Sequence, residues 1–199
     1  MRILLVRDRF TPTSPPEVAA STLLLSQLVR QATEAGHSMR ELVPNVTDTD
    51  KGPHQFRAAM RLRLDAEVSD YDPQVIHVQG VGLLGHLALE TGVPYLILTF
   101  GEELAASLAG STVRADAQQA IENAGRIVVD TPQAREQILT AFGEIDTIIV
   151  ADRLAEFSSS PEAAEGSGDA GGPSLDWLWA MYCEIVARRR RSPGRDAGE

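Results

Sequence analysis

The sequence predicts an α/β fold: a doubly wound, parallel, six-stranded Rossmann-like sheet in the order 3-2-1-4-5-6, with a C-terminal helix docked on it. Three observations carry this. Short apolar runs alternate with helical patterns from Arg2 to Val150. The stretch Tyr71 to Glu103 contains a whole strand-helix-strand unit: Val75-Ile76-His77-Val78 and Tyr95-Leu96-Ile97-Leu98 are each introduced by a proline, and a helical run through Glu90 with a stop at Gly92 separates them. Finally, composition breaks at Ser158 and an amphipathic helix pattern returns at Leu175.

Taken in order, Arg2 to Val6 is an apolar strand, followed by a proline-rich loop from Asp8 to Pro16. From Val18 to Ala35, Val18, Leu24, Leu25, Leu28, Val29 and Ala32 mark one helical face, and Gly36 supplies the stop. Ser38 to Val43 is the second strand and Pro44 to Pro53 a polar loop. Gln55 to Val68 repeats Phe56, Ala59/Met60, Leu62, Leu64 and Val68 with helical spacing, with Arg57, Arg61 and Arg63 directed outward. After the Tyr71–Glu103 unit come a helix over Val113–Ala124, a strand over Arg126–Val129, a helix over Thr131–Phe142 capped by Thr131 with Pro132 at its first position, and a strand over Thr147–Val150. The expected domain therefore spans 1–157. Residues 158–174 have no large apolar side chain and are expected to be a flexible linker. A helix over 175–191 should pack back through Trp179 and Tyr182, leaving 192–199 as a disordered tail.

Composition narrows the function. A net charge of −10 argues against nucleic acid as a general partner. A lone cysteine, Cys183, excludes an internal disulfide and a cysteine-cluster zinc site and fits a reducing compartment; no apolar run approaches the ~20 residues of a membrane span, so the location is expected to be cytoplasmic, and no metal or cofactor is expected. The run Arg188, Arg189, Arg190, Arg191 behind Trp177 and Trp179 suits either peripheral contact with an anionic membrane or a solvated helix end complementing the dipole.

In parallel sheets ligands sit off the carboxyl ends of the strands, which makes Glu17, His77, Gln79, Gly80, Gly101, Glu102 and Asp130 the candidate binding residues. Each has a structural alternative. His77 lies inside an apolar strand, where a core histidine competes with a functional one. Glu102 and Glu103 near a helix start, and Asp130 beside the cap Thr131, also complement helix N-termini. Gly80-Val81-Gly82-Leu83-Leu84-Gly85 fits the GxGxxG string but follows the third strand instead of the first. No catalytic residue is assigned.

The chain resembles a known family. RILLV, a loop, and a long helix ending in AGHSMRELVP are similar to the first strand, acceptor loop and second strand of the glycosyltransferase family-4-like N-terminal domain, one half of the GT-B fold. YDPQVIHVQG, TGVPYLILTFGEE and AGRIVVDTPQAREQIL are similar to its later strand-and-turn segments, in the same order. IDTIIVADRLAEF sits where that family crosses into its donor domain, and the helix bearing Trp177, Trp179 and Tyr182 resembles the one that crosses back. The resemblance implies an acceptor-side domain. It also has departures: Ser14-Pro15-Pro16-Glu17 stands where the family has a glycine pair, Phe100 and Gln79 where it often has histidines, and Ser158 to Ser174 in place of the donor domain.

Three readings follow. The chain is the acceptor-side half of a split glycosyltransferase, its partner a separate donor-domain subunit; or it is a non-catalytic binding or assembly module, homo-oligomeric or otherwise; or, third, it is an independent nucleotide-binding enzyme. A large apolar face for a partner favours the first, and tight nucleotide-sugar binding by the chain alone favours the third.

Overall fold

The computed structural model describes residues 1–7, 15–44, 52–101, 104, 111–151 and 175–191. Along the chain these form β1 (Arg2–Arg7), α1 (Pro15–Glu34), β2 (Ser38–Leu42), α2 (Pro53–Tyr71), β3 (Val75–Gln79), α3 (Leu83–Glu90), β4 (Tyr95–Thr99), α4 (Ser111–Asn123), β5 (Arg126–Val129), α5 (Pro132–Phe142), β6 (Ile148–Val150) and α6 (Asp176–Arg191). The linker 158–174 and the tail 192–199 lie outside the described residues. Helix α1 starts three residues earlier than the sequence pattern suggests. Pro15 and Pro16 open it, because a fixed φ and a missing N–H cost nothing in a first helical turn.

The expected fold class is the one observed, a six-stranded sheet paired in parallel throughout, but the strand order is β2-β1-β3-β4-β5-β6 and not 3-2-1-4-5-6. Burial explains the correction. Val75, Ile76, His77 and Val78 are all completely buried, which requires a paired strand on both sides of β3. In β2, Ser38, Arg40 and Glu41 are exposed, and Arg40 turns away from the sheet to Glu67 and Asp70 of α2, its guanidinium 4.7 Å from the Tyr71 ring centre. Such a strand belongs at an edge.

Side chains alternate between two cores. On one face Leu4, Val6, Ile76, Val78, Tyr95, Ile97, Ile127 and Val129 pack against Met60 and Leu64 of α2, Leu84 and Leu87 of α3, Ala117 and Ile121 of α4, and Ala134 and Ile138 of α5. On the other, Ile3, Val75, Leu96, Leu98 and Val128 cluster with Leu24 and Leu28 of α1 and with Leu175, Leu178, Tyr182 and Ile185 of α6. Every crossover after β2 thus lies on the first face, and the C-terminal helix helps to close the second. It lies over the amino half of the sheet, where Trp179 meets His37 just before β2 and Ile185 lies against Gly125 just before β5.

His77 is on the second face, beneath α6. Its Nδ1 is 2.5 Å from the Tyr182 hydroxyl, and both side chains are fully buried. Burial pushes the imidazole down to about 4 and the phenol well above its usual value, so the pair is neutral at pH 7.

Two substitutions test this packing. A Cβ on Gly85 would lie 2.8 Å from the Ala120 Cβ of α4, so Gly85→Ala should destabilise by about 1–2 kcal/mol in denaturant melts despite alanine's better helix propensity. A more stable variant would mean that α3 and α4 are not in close contact. Thr131 accepts the Ala134 N–H at 3.1 Å, and Thr131→Ala should cost about 1 kcal/mol; no loss would mean that the cap is idle.

Candidate functional site

Because all six strands are parallel, their carboxyl ends share one edge. The crossover after β1 runs through α1 on one face, and those after β3, β4 and β5 run on the other, so the topological switch lies between β1 and β3. The register there sets Arg7 beside Gln79. Arg7 pairs with Glu41 near the end of β2, and the two line a cavity with Leu25 and Val29 of α1 and Met39 of β2. Arg7 was not among the sequence candidates; an arginine closing an otherwise apolar strand was the available signal.

Next to Gln79, Gly80 continues the sheet by donating its N–H to the Leu98 carbonyl at 2.8 Å and then turns the chain at φ +90°. Gly82 takes φ +89° and forms the N-cap of α3 without a side-chain cap. A side chain at either position would be strained. The three glycines of the GxGxxG string therefore have separable roles. Two shape a buried turn into a helix N-terminus, and Gly85 lets α3 approach α4. Spacing alone shows neither role.

One strand further on, Gly101 approaches β5. A Cβ on it would lie 3.8 Å from Thr131 Oγ1 and 3.9 Å from Asp130 Oδ1, and the Thr131 hydroxyl is 3.4 Å from Asp130 Oδ1. Gly101, Asp130 and Thr131 thus form one half-exposed corner, with Gln79 and Gly80 in the neighbouring turns. Thr131 spends its oxygen on the helix cap, and Asp130 is half-buried beside it.

The remaining candidates are placed differently. His77 is two residues inside β3 with zero exposure, in the position of a core histidine held by Tyr182, and it does not reach the edge. Phe100 is buried with the second core. Glu17 falls within the first turns of α1 and not in a loop, its side chain outside the described residues, and Glu102 lies wholly outside them. Among the described residues no group of three His, Cys, Asp or Glu is placed to hold a metal, and no helix is long and apolar enough to cross a membrane.

No family model and no curated protein matches the sequence. Solved structures do match. The S. aureus MnaA–UDP co-structure aligns with a TM-score of 0.56 at 13% identity, over 84% of this chain and 48% of its own. The UDP-GlcNAc 2-epimerase from Methanocaldococcus jannaschii aligns with a TM-score of 0.54 at 13% identity, over 75% of this chain and 45% of its own. The chain spans about half the length of these structures. At that identity the likeness is one of fold, and the fold is that of a GT-B-like Rossmann domain.

Proposed function

We propose that the chain is the acceptor-side half of a nucleotide-sugar-using, glycosyltransferase-like site, which works against a second, donor-binding domain. The observation that carries this reading is the topological switch at the carboxyl edge between β1 and β3, in a domain whose fold matches about half of a UDP-GlcNAc 2-epimerase and of a protein solved with UDP bound. Arg7, Gln79 and Asp130 supply a cation, an amide and a carboxylate across the edge, groups suited to sugar hydroxyls and a charged ligand.

The chain's own groups hold and orient in this reading. Cleavage of a donor requires positive charge or amide donors at the leaving diphosphate, supplied by the second domain. A binding module of the same fold without chemistry is the second reading, favoured by the burial of His77, the histidine that the strand-end rule makes a candidate.

The test is a titration of the purified chain with UDP-GlcNAc, followed by amide shifts. Binding should be weak, with a Kd on the order of 1 mM, and shifts should concentrate at Gly80, Gly101 and Asp130. Asp130→Ala should weaken it about tenfold, the worth of one hydrogen bond to a charged group. Shifts elsewhere, submicromolar binding, or UDP release by the chain alone would overturn the half-site reading. Turnover on adding a donor-type domain would separate the first reading from the second.

A further inference from the structure

We propose that α6 is a releasable cover over the second sheet face, with the His77–Tyr182 pair as an acid-sensitive latch. The geometry sets α6 apart from the other helices. It supplies no strand connection, and among the described residues no backbone-to-backbone hydrogen bond ties it to the domain; the Leu175 N–H donates instead to the Gln31 side chain at 3.3 Å. It is held by the apolar side chains of Leu175, Leu178 and Ile185, by ion pairing of Glu184 to Arg126, and by a row of rings: His37 to Trp179 at 5.0 Å, Trp179 to Tyr182 at 5.5 Å, Tyr182 to His77 at 6.0 Å. Opening it breaks no backbone hydrogen bond to the sheet among the described residues, although it uncovers the second face and loosens the strands beneath.

Both histidines in that row sit better neutral than charged. His77 is flanked by Leu5 of β1 and Leu96 of β4, and Tyr182 of α6 is the titratable group facing it. The acid on α6 nearest to it in sequence, Glu184, is engaged by Arg126 and Arg188. Burial is the cause of its lowering to about 4. His37 is lowered as well, by burial and then by the N-terminal ammonium, 3.3 Å away. An imidazolium at position 77 would be a buried charge without a counter-ion, and opening α6 is the movement that brings it to water.

The sign follows from linkage. With α6 closed His77 takes up its proton near pH 4; exposed, it does so near its ordinary 6.5. Opening therefore binds a proton between those values, and acid drives it, raising the opening constant about a hundredfold between pH 7 and pH 4.

The chain contains two tryptophans, and both, Trp177 and Trp179, are on α6, so emission reports the helix while far-ultraviolet dichroism reports the whole fold. In the full chain, lowering pH from 7 to 4 should red-shift the emission before ellipticity changes. His77→Leu should remove that early transition, and His37→Phe should keep it. Tyr182→Phe, which retains the packing and loses the hydrogen bond, should move it to higher pH. The latch is overturned if the two signals change together, if His77→Leu keeps the wild-type midpoint, or if Tyr182→Phe leaves the midpoint unmoved.

Discussion

A parallel sheet has to be covered on both faces, and here the chain's own crossovers cover only one of them beyond β1. After β2 the path reverses, and each later strand is added on the same side, which for right-handed connections sends α2 to α5 to one face. Val75, His77, Leu96 and Val128 face the other way. They are closed in by α1 and, across the amino half, by α6. Each of the large side chains of α6 that this buries contributes about 1.5–3 kcal/mol relative to exposure. A helix at the far end of the chain is therefore part of the core.

This arrangement separates two jobs along the strands. The amino half is plugged by the rings of α6, and His77 is used there, against Tyr182. The carboxyl ends are where the backbone turns away in opposite directions; there Arg7 lies beside Gln79, and Gly101 approaches Asp130. Two residues of β3 separate a sealed core position from an open edge. A histidine at 77 and a glutamine at 79 thus serve different ends of the molecule, although both side chains point to the same face of the strand.

Much of this was legible in the residues, and the gaps have physical causes. The strands were visible as apolar runs, and the stripe Leu178, Tyr182 and Ile185 marks the side of α6 that meets the sheet. Strand order was not, because alternation of strand and helix states only that crossovers exist, not to which side of β1 they lead. The contrast between SMREL and VIHV, one half-polar and one apolar, held that information. The partner of His77 is 105 residues away, beyond any local pattern. Asp130 and Gly101 were legible as residues after strands, whereas Arg7 entered only once β3 was known to lie beside β1.

The dependence of the sheet on its C-terminal helix is tested most directly by removing residues 174–199 and following amide exchange, with a peptide of residues 175–191 then added in trans. The shortened chain should lose the slow exchange of β3 and β4 amides, such as those of Val78 and Ile97, and should bind an apolar dye; the peptide should restore protection. If the shortened chain keeps its slow amides and its melting temperature without the peptide, the second face is closed by other means and α6 is not part of the core.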